Sequence, residues 1–416
     1  MARTSEGGQD EEQERRSLLE SNSSNNGATS MQTLMNIIVS IVGTGVLGLP
    51  YAFRTAGWLA GSLGVITAAL LSYYCMLLLV QCKRKAIVVL EGGGEENRIE
   101  TYGDLGARAF GAKGRFLTEL MIVISQLGGT IVFLLFIGEN LSSVFSGRHR
   151  ISPSVFILIL LPLQIALSFI TSLKVLAPFS ALADACNVLA MAFVIKEDVK
   201  QLQSFGGGPR IAFNGVWSLP FACGVAVYCF DGFALTLSLE KSMARPKKFP
   251  WVLLQAFIGV CIVYTCFGVL GYLAFGDNTM DIITLNLPNS LSSIIVKLGV
   301  SMALALTFPM SMHPIKEIME AKLKSRKSIT LRAARVLMVV AVAVLATAAP
   351  DFSVLISFIG STLCALLSFI LPALYHLKLV NNLSVWERVL DYIIFVIGIV
   401  FAACGTCAAI AGHFKN

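Results

Sequence analysis

Two short stretches of this chain join groups that can hold small polar molecules to backbone that cannot stay helical. The first is Gly43-Thr44-Gly45-Val46-Leu47-Gly48-Leu49-Pro50, set inside an apolar segment long enough to cross a bilayer. The second is Gly224-Val-Ala-Val-Tyr228-Cys229-Phe230-Asp231-Gly232-Phe233, which puts a carboxylate beside a glycine deep in another apolar segment. Freed N–H and C=O groups are costly in lipid and are tolerated where they face protein or a water-filled cavity. At the first break, the unwound backbone of Val42, Gly43, Thr44 and Gly45, with a half-helix restarting near Val46, offers N–H groups and a positive dipole end to an anion such as a carboxylate. At the second, the carbonyls of Tyr228, Cys229 and Phe230 can accept from an ammonium group, Gly232 supplies the loose backbone, and Phe230 and Phe233 either wall a side-chain pocket or face lipid.

Asp231 is the one acidic residue deep in its segment, and an ionisable group at that depth is a functional candidate by default. Burial favours the protonated form of a carboxyl, so Asp231 is a candidate proton carrier. Pairing with an amino group and capping of the half-helix after Gly232 are its alternative roles. Gln126 and Thr130 lie four residues apart on one helix face, as do Thr307 and Ser311, and each pair can line a pathway or bond a neighbouring helix. No span carries a nucleophile–base pair or a cluster with metal-ligand spacing, so neither an enzyme nor a bound metal or cofactor is expected. Cys404-Gly-Thr-Cys407 fits a redox spacing, but it lies in an apolar span, where small-residue packing is the expected role.

The elements that position these groups are membrane helices. The chain is 56% hydrophobic and 14% charged, against about 25% charged for soluble domains. The net charge of +7 comes from loop Lys and Arg and carries no nucleic-acid signal. Hydropathy places about eleven spans of roughly 17–25 residues. They run over 31–53, 57–82, 117–146, 153–172, 175–195, 211–240, 250–275, 289–312, 330–349, 352–377 and 388–413, after a polar tail at 1–30 expected to be disordered. Lys83-Arg84-Lys85, Lys247-Lys248 and Lys322, Lys324, Arg326 and Lys327 all fall on the side of the N-terminus, which predicts that end cytosolic and the C-terminus outside or luminal. The two breaks fall in spans one and six. Five spans is an odd interval, so a unit over 31–195 repeated over 211–377 must be inverted, with 388–413 as an extra helix. Paired broken helices in inverted halves point to a binding site at the bilayer midplane.

Asn36-Ile-Ile-Val-Ser-Ile-Val-Gly43-Thr-Gly-Val-Leu-Gly-Leu-Pro50-Tyr-Ala-Phe53 resembles the first helix of the amino acid/auxin permease family. Val225-Ala-Val-Tyr-Cys-Phe-Asp231-Gly-Phe is similar to the sixth, where relatives commonly carry Phe-Glu-Gly. Leu239-Glu240-Lys-Ser-Met243, Lys248-Phe-Pro250 and Leu270-Gly-Tyr-Leu-Ala-Phe-Gly276-Asp fit the same family, and the likeness runs from residue 31 to about 413. The branch it resembles is the plant vacuolar amino acid transporters, which are similar to the proton-coupled transporters of animals. The resemblance implies an all-α polytopic protein with a leucine-transporter-like core of ten helices. It also implies secondary active transport of neutral amino acids by alternating access, usually driven by protons. Asp231 stands where the commoner residue is Glu, so its carboxylate is one methylene shorter. The sodium-coupled branch carries an Asn just before the first-helix glycines. Here that stretch is Val39-Ser40-Ile41-Val42, which favours protons over sodium.

Glu14-Arg15-Arg16-Ser17-Leu18-Leu19 matches an acidic dileucine sorting signal, so Glu14, Leu18 and Leu19 are candidate contacts for cytosolic sorting adaptors. The expected address is the vacuolar or lysosomal membrane, with the plasma membrane as the alternative. From such a membrane the expected transport is lumen to cytosol. An amino acid sensor that binds without flux and a sodium-coupled transporter are the competing functions. Asn140-Leu-Ser142 is a glycosylation sequon near an out-facing end, close to the membrane.

Overall fold

A computed structural model describes residues 28–88, 99, 101–145, 151–170, 173–205, 210–312, 315–316, 319, 328–349, 351–380 and 383–413. The dileucine residues Glu14, Leu18 and Leu19 lie outside the described residues. What is described is almost wholly helical. The first expected span is split into α1 (Ser30–Ile41) and α2 (Leu49–Ala56), two halves bent by 48°. Then come α3 (Trp58–Val88), α4 (Tyr102–Phe145), α5 (Pro153–Ser168) and α6 (Leu173–Phe205). The sixth span is also split, into α7 (Leu219–Cys229) and α8 (Phe233–Ser242). It is followed by α9 (Phe249–Phe275), α10 (Leu291–Ser311) and α11 (Ser328–Thr347). Span ten opens as α12 (Phe352–Ile359), passes through two π-helical turns at Gly360–Cys364 and Leu366–Ile370, and closes as α13 (Leu371–Leu379). The last helix is α14 (Val385–His413).

Among the described residues eight runs are long and apolar enough to cross a membrane, and the bent α1–α2 pair makes a ninth unit. The other two expected spans correspond to α5, which is 16 residues and short for a span, and α6, which is 33 residues but carries Lys196, Glu197, Asp198 and Lys200 in its last third. The helix α4 reaches back beyond the expected third span and divides at Phe110–Gly111, where Gly111 adopts φ 67°, a conformation a side chain would resist. The turns before it are a separate helix, and the span proper follows.

The split spans pack against span ten and α9. α7 presses on span ten so closely that a Cβ on Gly360 would run into the Gly224 carbonyl oxygen, while Ser357 donates to the Phe221 carbonyl at 2.9 Å. α2 is held by Phe53, whose ring fills the hollows left by Gly61 on α3 and Gly268 on α9. Span ten has 72% of its apolar window buried, whereas α14 has 22%, so the extra helix is a peripheral one. Gly405 of α14 meets span ten at Ser361, as Gly398 does at Phe369 and Ile370, and both Cys404 and Cys407 are exposed beside it. The packing expected of the Cys-Gly-Thr-Cys run is thus done by its glycine. Asn140 is fully buried, donating to the Phe136 carbonyl and accepting from Thr284, so its sequon is closed to a glycan.

Candidate functional site

The first break is made by backbone that leaves the helix in two steps. Val42 turns extended (φ −76°, ψ 97°), Gly43 stays extended (φ −118°, ψ −167°), and Thr44–Gly48 then forms a tight 3-10 turn that leads into α2. The helical restart therefore begins at Thr44, two residues before Val46, and α-helix resumes only at Leu49. In the second break α7 stops at Cys229, Phe230 and Gly232 are non-helical (φ −102°, ψ 17°; φ −148°, ψ 10°), and α8 starts at Phe233.

The two breaks touch. A Cβ on Gly45 would meet the Tyr228 ring at 2.8 Å and the Cys229 sulfur at 3.1 Å, and one on Gly232 would meet Ile41 at 3.4 Å. The Tyr264 hydroxyl, projecting from α9, lies 3.2 Å from the Ile41 carbonyl oxygen and 3.4 Å from that of Cys229. One side chain thus bridges the C-terminal ends of both first half-helices. Gly43 has open space where a side chain would project. Beside it the Thr44 hydroxyl is 1% exposed and makes no hydrogen bond among the described residues. A buried, unpartnered hydroxyl at a broken helix is a polar position ready for a guest.

Asp231 is half-buried at the second break. Its Oδ2 accepts from Ser125 of α4 at 3.4 Å and from Cys364 of span ten at 3.6 Å, and the Phe233 N–H faces the same carboxylate. These are long, weak contacts that a better donor can replace. No cationic side chain pairs with Asp231 among the described residues. The N-cap of α8 is Gly232 and not Asp231, and the exposure of the Asp231 carboxylate lets it meet a ligand.

The other sequence candidates are less central. Gln126 is half-buried, one residue around the helix from Ser125. Thr130 donates to the Gln126 carbonyl at 2.6 Å and Thr307 to those of Ala303 and Leu304, so both hydroxyls are bonded to their own helices. Phe230 and Phe233 are fully buried, which excludes the lipid-facing alternative. Phe230 stacks on Phe257 at 5.7 Å and tilts against Tyr264 at 5.3 Å, so it sets the position of the bridging hydroxyl. Ser125, Tyr264 and Cys364 are the residues that sequence reasoning missed. Ser125 adjoins a chosen residue, and Tyr264 is a hydroxyl in the middle of an apolar span, a signal that was available.

On the face from which the N-terminus emerges, the half-helix α8 is tied down. Lys83 of α3 donates to Glu240 at 2.7 Å with both side chains buried, and Arg84 reaches the other Glu240 oxygen at 3.2 Å. Ala28 pairs with Met243 as an isolated β-bridge, through Ala28 N–H to the Ser242 carbonyl at 2.8 Å and Ala244 N–H to the Ala28 carbonyl at 3.0 Å.

Residues 26–411 match the family described as transmembrane amino acid transporter protein. The chain is 49% identical over 405 residues to the amino acid transporter ANT1 of Arabidopsis thaliana, with 92% of this chain and 93% of that protein covered. It is 38% identical to amino acid transporter AVT3B of the same plant over 94% of this chain and 95% of that protein. Against vacuolar amino acid transporter 3 of Schizosaccharomyces pombe it is 28% identical, over 89% of this chain and 56% of that protein. Among solved structures it is similar to MhsT in complex with L-phenylalanine (TM-score 0.54, 13% identity, 91% of this chain and 98% of that one). It is also similar to the inward-facing conformation of Mhp1 (TM-score 0.59, 10% identity, 94% and 91%). These last two show the fold alone, the leucine-transporter-like architecture. The chain belongs to the transmembrane amino acid transporter family and is a multi-pass membrane carrier of amino acids rather than an enzyme.

Proposed function

We propose that this protein carries neutral amino acids out of a vacuole or lysosome, coupled to protons and by alternating access. The observation that carries the reading is the meeting of the two broken helices around Tyr264, with Asp231 half-buried and without a cation beside them. The substrate carboxylate takes the N–H groups around Gly43 and the unpartnered Thr44 hydroxyl. The substrate ammonium takes the carbonyl ends at Ile41 and Cys229. Asp231 holds the coupling proton, which neutralises it when no ammonium is near. Residues 31–195 and 211–377 act as the two inverted halves, and rocking of one against the other exposes the breaks to each side in turn.

The loop charges support a cytosolic N-terminus and a luminal C-terminus. The vacuolar transporter of fission yeast and the Glu14–Leu18–Leu19 signal support the vacuolar address, with adaptors reading the tail. The test is flux of labelled neutral amino acids in proteoliposomes under an imposed pH gradient. Wild-type protein is expected to concentrate substrate along the proton gradient. Asp231→Asn is expected to keep binding and exchange but to lose proton-driven accumulation. Wild-type pH dependence in that variant would remove Asp231 from the coupling role. Flux that follows sodium would favour sodium coupling, and saturable binding without flux would favour a sensor.

A further inference from the structure

A groove of about 890 Å³ runs between α14 and the outer halves of both split spans, on the face away from the N-terminus. That volume falls in the range of sites that hold a small ligand. Tyr51 and Thr55 of α2, Phe221 of α7 and Val354 of α12 form one wall, and Ala403 and Cys407 of α14 form the other. The polar groups on it turn to backbone. The Thr55 hydroxyl donates to the Tyr51 carbonyl at 2.9 Å, the Asn214 amide to the Thr55 carbonyl at 2.9 Å and the Ser218 hydroxyl to the Gly215 carbonyl at 2.7 Å. The groove thus offers hydrocarbon contact in its depth, where the two charges of an amino acid have nothing to pair with.

Three observations say what covers it. The first is continuity with the lipid-facing surface. Val396 and Val400 of α14 are each 55% exposed, and Ala403 and Cys407 follow them at helical spacing on the same face. The stripe that meets acyl chains therefore runs straight into the groove. The second is depth. The turn at its rim leaves Trp217 92% exposed, and a free tryptophan on a multi-pass protein belongs at the headgroup level. That places the groove beneath it, among the chains of the leaflet away from the N-terminus. The third is charge. Arg54 stands over the Tyr51 ring at 5.3 Å and donates from Nη1 to the Thr279 carbonyl at 2.8 Å, and no carboxylate pairs with it among the described residues. Residues 51, 54 and 55 share one face of α2, so the guanidinium lies by the wall that Tyr51 and Thr55 provide. Its remaining N–H groups have the forked geometry that suits a phosphate.

We propose that this groove is a binding site for one anionic phospholipid of that leaflet. Its phosphate sits on Arg54, and one acyl chain passes Tyr51 and lies between α14 and the outer half-helices α2 and α7. Binding is non-covalent. The apolar depth selects a chain, the unpaired guanidinium selects a negative headgroup, and Trp217 sets the level at which the two meet. The lipid thereby fills the space between a peripheral helix and the outer halves of both broken spans.

The test uses the full chain in phosphatidylcholine nanodiscs with a trace of one of two probes, phosphatidylglycerol or phosphatidylcholine, each with a photoreactive group at the end of one acyl chain. After illumination the labelled peptides are mapped by mass spectrometry. The phosphatidylglycerol probe is expected to label residues 403–407 about fivefold more than the phosphatidylcholine probe, the preference one cation at a membrane surface gives. Unlabelled phosphatidylglycerol should compete it away. Arg54→Gln should bring the two probes level at 403–407. Ala403→Phe/Cys407→Phe fills the groove from exposed positions, and should remove that label while leaving the label at 396–400 intact. Equal labelling by both probes in the wild type, or a preference that survives in Arg54→Gln, overturns the proposal. So does unchanged labelling of 403–407 in the double phenylalanine variant. Inorganic phosphate that competes as well as the lipid would mark a free-anion site and overturn it. A dimer disulfide-linked through Cys407 on mild oxidation in the same nanodiscs would give the groove to a second copy and overturn it as well. If Arg54→Gln lowers the unfolding temperature, the double phenylalanine variant, with Arg54 intact, decides by the same labelling.

Discussion

Gly45 is where one atom separates a site from a plug. The Tyr228 ring and the Cys229 sulfur already fill the space a side chain would need, at 2.8 and 3.1 Å. Gly45→Ala is expected to push Tyr228 away or unseat the 3-10 turn and to weaken substrate binding about tenfold, roughly 1.4 kcal/mol. Gly45→Val should abolish it, and equilibrium binding of labelled substrate reads both. An unchanged affinity in the valine variant would move the carboxylate site elsewhere. Gly43 faces open space, so Gly43→Ala tests the role of the bare N–H groups without a steric clash. At Tyr264 the prediction concerns the hydroxyl alone. Tyr264→Phe keeps the ring contact with Phe230 and removes the bridge between Ile41 and Cys229. Transport should fall with little change in unfolding temperature, and an unchanged rate would make the bridge incidental.

The elements differ in how far they were legible. Both breaks were plain in the sequence, because glycine and proline act on their own backbone whatever surrounds them. Ser125 and Cys364 were not, and Tyr264 showed only as a hydroxyl in an apolar span, because their roles depend on which side of a helix turns inward, and α9 is apolar nearly all round. The Asn140 sequon shows the same limit: its pattern is local, but its burial against Thr284 comes from packing. The tie at α8 was also hidden, since Lys83 and Glu240 are far apart in the chain. Glu240→Ala leaves Lys83 buried without its anion and should cost about 3 kcal/mol. The double variant Lys83→Met/Glu240→Leu should recover most of that stability. Thermal unfolding of the two variants measures the difference, and equal losses would contradict the uncompensated-charge account.

At the scale of the whole molecule, hydropathy located the spans but could not rank them. Span ten and α14 have mean hydropathies of 2.4 and 2.3, yet 72% of one window is buried against 22% of the other. In a bilayer both lipid and protein neighbours are apolar, so only packing tells a central helix from a peripheral one. The proposed orientation gives its own prediction. In sealed vacuoles an N-terminal epitope should be cut by external protease and a C-terminal one protected, and the reverse pattern would invert the topology. The bridge at Tyr264 has one more consequence when donors are counted against acceptors. A phenolic hydroxyl owns a single hydrogen, but two half-helix ends present it with two carbonyls, so Tyr264 alone leaves one of them short of a donor at any moment. An arriving ammonium brings three. On the reading proposed above, the deficit is what makes the resting protein want an amine, and any ligand without spare hydrogens leaves it unmet.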